Sequence, residues 1–207
     1  MITLFSTYLP VAAVAYCQEL WQHYQFTFKV VKPRRTRLGD FRVLTYTQTQ
    51  ITVNANLNAY AFLITYIHEV AHADVYRQYK SLRKRSLKPH GKAWQLAFQR
   101  LMQPLLNESV FPAPILQPLQ QYLIKPAATT FASPALVLAL RDADDKPVSN
   151  LATNSVQLRD VPEGKQFQFA KKTYQRGTLR RTRVVCKEVS SGKSYAILAH
   201  VLVEINE

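Results

Sequence analysis

From Ala59 to Tyr79 the chain runs without a glycine or a proline, and apolar side chains recur on every side of it. About 21 residues at a rise of ~1.5 Å make a helix roughly 30 Å long. Asn58 is its candidate N-cap, because an Asn side-chain oxygen can accept from a free amide of the first turn. Tyr60, Phe62, Leu63, Ile64, Tyr66, Ile67, Val70, Ala71 and Val75 surround the helix, so the rest of the fold must enclose it. Set in its middle are His68, Glu69 and His72. Two imidazoles four residues apart lie on one face, one turn above each other, so both can reach one metal ion while the carboxylate stays beside it. His68-Glu69-Val70-Ala71-His72 therefore has the spacing of a zinc peptidase motif. Buried ionisable groups need partners, because an unpaired buried charge costs several kcal/mol, and zinc would supply them. The alternative is ordinary hydrogen bonding in a polar cleft.

A catalytic zinc usually takes three protein ligands and keeps one position open for water. The long metzincin pattern would need Gly at 75 and His at 78, where this chain has Val75 and Gln78. The next Glu after the motif is Glu108, beyond the Pro104 break, and Asp74 points to a different side of the helix from His72. His90 remains. It follows the basic loop Lys80 to Lys88 and opens a helical segment, Gly91 to Met102, so that a helix packed back across the first would carry it to the open side of the pair. Capping that helix is the alternative role for His90.

Around this centre the sequence reads as α+β. Val11 to Tyr24 is an amphipathic first helix. Phe26 to Val31 and Phe41 to Tyr46 read as strands forming a hairpin or adjacent pair across the basic loop Arg34, Arg35, Arg37. Ile51 to Leu57 alternates apolar with Thr52, Asn54 and Asn56, the pattern of a strand with one buried face. Beyond Met102 six prolines and an acidic turn, Asp142 to Pro147, punctuate the chain around one short helix near Ile115 to Ile124. From Val156 onward the pattern is β, a small antiparallel module whose expected core is Phe167, Phe169, Tyr174, Val185, Tyr195, Ile197 and Val201. The expected organisation is a first domain over 1–125, a Pro-rich and acidic linker over 126–150, and the basic β module over 151–207.

Composition narrows the setting. With 207 residues, 47% of them hydrophobic, the chain suits one ordinary domain plus a small appendage. Cys17 and Cys186 are too far apart in sequence to suggest a disulfide framework or a CxxC site, which fits a reducing, cytoplasmic compartment. Met1 to Tyr16 lacks a basic leader region and is interrupted by Tyr8 and Pro10, so it reads as part of the fold. No run approaches the roughly 20 apolar residues of a membrane span. Net charge is +14, from 27 Lys and Arg against 13 Asp and Glu, and a field of that sign favours polyanions such as nucleic acid. The charge is clustered: Arg77 to Arg100 contains no acid, and Lys165 to Lys193 contains only Glu188. In the module, Lys171, Lys172, Arg176, Arg180, Arg181, Arg183 and Lys187 interleave with Tyr174, which suits phosphate neutralisation and base stacking on single-stranded DNA. The loop over 77–92 is a second candidate surface, and a solvated charged face with the aromatics inside is the bland alternative.

From the first helix to about Met102, the order of helix, strands, His68-Glu69-Val70-Ala71-His72, then Pro89-His90-Gly91 with Trp94 and Phe98 in the next helix, resembles the SprT-like zinc metallopeptidase family (bacterial SprT and Spartan-like proteins). The resemblance implies a compact, gluzincin-like zincin domain and cleavage of proteins bound or crosslinked to DNA, single-stranded or junction-containing, as in DNA repair. It implies Zn²⁺ held by His68, His72 and His90, with Glu69 as the catalytic base. Bacterial members often end in a four-cysteine zinc ribbon; here only Cys186, with His200 distant from it, lies in the tail, so a second structural zinc is not expected. Two functions follow: a zinc metalloendopeptidase acting on nucleic-acid-associated proteins, or a zinc-binding, DNA-binding regulatory or transcription-associated protein with little proteolysis. Glu69 separates them, because a zinc-binding scaffold has no chemical need for a carboxylate between its ligands. In the enzyme reading, the strand Ile51 to Leu57 is the expected partner for an extended substrate backbone.

Overall fold

The computed structural model describes residues 2–34, 36–79, 88–143, 155–170, 172–180, 183–199 and 201–205. The chain divides into two compact units, Met1–Asp145 and Lys146–Glu207, each with its own apolar core. The class is mixed α+β, helix-rich in the first unit and strand-rich in the second.

The N-terminal apolar stretch makes two helices. α1 (Ile2–Tyr8) stops ahead of Pro10, which has no amide hydrogen to extend the ladder, and a 3-10 turn at Val11–Ala13 leads into α2 (Val14–Tyr24). The strands that follow are β1 (Thr27–Val31), β2 (Gly39–Val43) and β3 (Thr49–Asn54). Contrary to the expected hairpin or adjacent pair, β1 and β2 do not meet: β3 lies between them, parallel to β1 and antiparallel to β2. β3 belongs in the middle because both of its faces are buried. Ile51 and Val53 are in the apolar core, and Thr52 and Asn54, expected to face solvent, are covered as well. The connection from β1 to β2 has to cross β3, and its arginine pins it there. Arg34 donates from Nε to Asn54 Oδ1 at 2.9 Å and from Nη1 to Thr52 Oγ1 at 3.0 Å, while Asn54 Nδ2 donates to the Arg37 carbonyl at 2.9 Å.

α3 (Ala59–Tyr79) starts where its cap predicts, with Asn58 Oδ1 accepting from the Ala61 amide at 2.8 Å. Phe62, Leu63, Ile64, Tyr66, Ile67, Val70 and Ala71 are buried along it. One side meets the aromatic cluster of Phe5, Phe26 and Phe28 through Tyr66, whose hydroxyl donates to the Cys17 carbonyl at 2.8 Å. Another side meets α4 (Lys92–Met102), which buries Trp94, Ala97, Phe98, Leu101 and Met102. A buried carboxylate clamps the bundle: Asp74 accepts from Tyr24 Oη at 2.7 Å, Gln78 Nε2 at 2.8 Å and Arg100 Nη2 at 2.7 Å, tying α2 and α4 to α3.

The first unit extends past the expected boundary at 125. α5 (Ala113–Ile124) is followed by α6 (Pro134–Asp142), in the middle of the expected linker; residues 144–150 lie outside the described ones. Two of the prolines that looked like breakers sit where helices tolerate them, while Pro118 lies inside α5: Pro112 is the N-cap of α5 and Pro134 is in the first turn of α6, after Ser133, whose Oγ accepts from the Leu136 amide. Leu136 and Leu140 of α6 are buried in the same core as Leu119 and Leu123 of α5.

The second unit is one antiparallel sheet of six strands, β4 (Ser155–Gln157), β5 (Gln166–Phe169), β6 (Lys172–Leu179), β7 (Arg183–Glu188), β8 (Ser194–Leu198) and β9 (Leu202–Ile205), in the order β4-β9-β5-β6-β7-β8. Its core is Leu158, Val161, Phe167, Tyr174, Val184, Cys186 and Val203. β7 turns Val184 and Cys186 inward where Val185 was expected, and Tyr195, expected inside, is 39% exposed. A one-residue phase decides such assignments.

α6 gives the fold its test. Leu136→Ala removes a fully buried side chain, so urea denaturation of the full chain is expected to lose about 2–5 kcal/mol. A loss within ~0.5 kcal/mol, the scale of a surface site, would return this segment to the linker.

Candidate metal centre

His68 and His72 lie one turn apart on α3, and His90 is brought to them by the turn ahead of α4. That turn closes with the Gly91 amide on the Lys88 carbonyl at 2.9 Å. The N-cap of α4 is Gly91, with no side-chain cap bond, so His90 is not spent on capping. His90 Nε2 stands 3.1 Å from His68 Nε2 and 3.1 Å from His72 Nε2, and the three potential ligand atoms all lie within 4.8 Å of one another. Trp94 fixes the arrangement from α4. Its ring centroid is 4.5 Å from that of His68 and 4.8 Å from that of His90, and its Nε1 donates to the His68 carbonyl at 3.2 Å.

The three histidines are close enough to bind a metal ion. Metal–nitrogen bonds of about 2.0–2.1 Å at a tetrahedral centre place ligand nitrogens roughly 3.3 Å apart, and the spacings here approach that value. Protonation also fits. Burial, then repulsion from the other two imidazoles, pushes the His68 pKa down to about 2; burial, then His90, pushes His72 down to about 4; burial lowers His90. All three rings are therefore neutral near pH 7, the form whose lone pair ligates a metal. Asp74, whose carboxylate serves the clamp on α2 and α4, takes no part.

Glu69 is 6% exposed and accepts a hydrogen bond from the Phe41 amide of β2. Burial, reinforced by the charge of Asp40, raises its pKa to about 8 against the opposing pull of Arg34, the Phe41 amide and Arg37. With His68, His72 and His90 it lines a cleft of about 910 Å³. β2 forms one wall through Gly39, Asp40 and Phe41, and Phe98, Tyr122 and Thr130 contribute to the lining. Arg37 and Arg42 both bond the Asp40 carboxylate; burial alone would raise its pKa, but Arg42 and Arg37 hold it below the usual carboxylate range.

Sequence reasoning missed these walls, since neither strand order nor the position of residues 122–130 is written in local spacing. It also chose the wrong strand for substrate pairing. β3 has β1 on one side and β2 on the other, so it has no free edge; β2 is at the edge and lines the cleft.

The expected nucleic-acid residues divide. Lys171 and Arg181 lie outside the described residues. Arg176 is buried, its Nη1 3.3 Å from Glu163, and a buried guanidinium is not a phosphate contact, so that assignment is corrected. Tyr174 is buried and stacks on Phe167 at 5.7 Å, which removes it as a base-stacking platform. Lys172 is exposed but paired with Glu188 at 2.6 Å, and hydrogen bonds from Lys172 and then Ser191 push the Glu188 pKa down to about 2. Arg180, Arg183 and Lys187 face solvent. Of the alternative surface over 77–92, residues 80–87 are outside the description; Arg77 is exposed and donates to the His23 carbonyl at 2.7 Å. No match to this chain is found among protein-family models, curated proteins or solved structures.

Removing one imidazole tests the centre. His90→Ala is expected to lower metal affinity by 10²-fold or more, read as loss of bound metal in the purified protein by elemental analysis. Full occupancy in that variant would remove His90 from the ligand set.

Proposed function

We propose that this protein is a zinc-dependent endopeptidase of the SprT-like kind, built on a compact gluzincin-like domain and acting on proteins associated with DNA. The observation that carries the reading is a buried carboxylate, Glu69, set between two of three convergent imidazoles in a cleft large enough to take a peptide segment. A zinc-binding scaffold has no use for an acid at that position, and burying one is costly unless it does chemistry.

His68, His72 and His90 would hold the ion, and their neutrality lets them ligate without first losing protons. Zinc supplies Lewis acidity there, lowering the pKa of water toward about 7 and polarising a scissile carbonyl. The protein's own share begins with the substrate. β2, at the edge of its sheet, offers backbone amides and carbonyls to an extended segment, which holds the scissile bond in the cleft. Glu69 then accepts the proton of the attacking water and returns it to the leaving amine. Burial raises the carboxyl's affinity for the proton it takes, and the charge of an ion beside it would restore the carboxylate form that a base needs. Arg37 and Arg42 neutralise Asp40 beside it, so the cleft wall does not repel an approaching carbonyl oxygen.

Glu69→Gln keeps the shape of the side chain and removes the base. DNA-stimulated cleavage of a DNA-bound protein, self-cleavage included, is expected to fall by about 10²–10⁴-fold, the usual share of a general base, while zinc content is retained. Equal cleavage by variant and wild type would favour the zinc-binding regulatory reading.

The net charge of +14 supports a polyanionic partner, and among its exposed carriers on the second unit are Arg180, Arg183 and Lys187. Arg183→Ala and Lys187→Ala are each expected to reduce the slope of log affinity against log salt by about 1 in an oligonucleotide anisotropy titration. Arg176→Ala should instead lower the stability of the unit, since it empties a buried site. Unchanged slopes would place the DNA surface elsewhere.

A further inference from the structure

β2 comes close against the metal helix at Gly39. A Cβ added there would lie 2.5 Å from Glu69 Oε1, 2.8 Å from Glu69 Cγ and 2.7 Å from Thr65 Cγ2. Backbone conformation does not require the glycine: among the described residues the positive-φ glycines are Gly164 and Gly192. Glycine inside a strand weakens it, and any L-residue could adopt its backbone there. What remains is space. The side chain of residue 39 would point at α3, on the same strand face as Phe41, whose ring lies 6.4 Å from that of His72.

The Glu69 carboxylate occupies the room that side chain would fill. It is 6% exposed and held by the Phe41 amide, so it has little freedom to swing aside. Thr65 is equally fixed, because its Oγ1 donates to the Ala61 carbonyl at 2.7 Å, which sets the direction of its methyl. We infer that Gly39 is a positioning residue: its bare Cα and the Phe41 amide together form the seat of the Glu69 carboxylate. The inference rests on the reading of Glu69 as the base. It adds that one strand, β2, both offers its edge to the substrate and sets where the proton acceptor stands, so the two are in register by construction.

The test uses the full chain and reads zinc content, the urea midpoint and cleavage of a DNA-bound protein. Gly39→Ala is expected to keep one zinc per chain and a KM within about twofold of wild type, because the new methyl points away from the substrate edge. Its kcat should fall on the order of 10²-fold, the cost of moving a reacting group by about 1 Å. The contact itself is read without activity. In the wild-type background Gly39→Ala lowers the urea midpoint; in a Glu69→Ala, Thr65→Ser background, which removes the atoms it would meet, the same change leaves the midpoint where it was. Should Gly39→Ala fail to fold, recovery of folding in the combined variant carries the same comparison. Wild-type kcat in Gly39→Ala, or an equal midpoint loss in both backgrounds, overturns the proposal. Wild-type cleavage by Glu69→Gln strikes instead at Glu69 as base, and the role of its seat falls with it, while the midpoint comparison still reports the contact separately.

Discussion

Three imidazole nitrogens, with His90 Nε2 3.1 Å from each of the other two, are the constraint around which the first unit is built. Nothing about three neutral rings draws them together unaided, so the scaffold has to hold them. α3 is sheathed in apolar side chains that fix its axis and rotation, which sets His68 and His72. α4 is set by Trp94 and Phe98 stacked beneath the rings and by the Asp74–Arg100 pair at the far end, and that sets His90. The same partial burial that shields the rings keeps them unprotonated, so packing and ligand chemistry act in the same direction.

Much of this was legible because it is local. A stretch without glycine or proline, an Asn cap and a four-residue spacing specify α3 and two of its histidines by themselves, and elimination reached His90 because few other ligand-type residues follow the motif. What was not legible depends on contacts between residues distant in sequence. Thr52 and Asn54 look like a solvent face until Arg34, about twenty residues upstream, is seen lying over them. Gly39 falls ahead of the expected strand Phe41 to Tyr46 and shows no role until Glu69 is found against it. Prolines around 112 and 134 read as breaks, because the same residue that ends a helix from inside can also begin one.

The second unit shows how far charge counting reaches. Its basic residues were evident from composition, but composition does not say which of them a nearby carboxylate already holds. Glu188 takes Lys172 and Glu163 takes Arg176, whereas Arg180 and Arg183 flank the tip of the β6–β7 hairpin, where the Arg180 amide donates to the Arg183 carbonyl at 2.7 Å. Lys172 and Arg176 are therefore partly spent on their own carboxylates.

An open strand edge beside a cleft has a second consequence, for solubility. β2 carries a row of backbone groups that its own sheet pairs on one side only, a template on which copies of the same chain could stack into aggregates. Two features oppose that. The strand is five residues long, too short to grip a partner firmly without a cleft to help, and it carries Asp40 and Arg42, joined by Arg37 just before it, whose hydrated charges resist being pressed against a like surface. An edge left open beside the cleft and charges that oppose self-assembly are thus written into the same few residues.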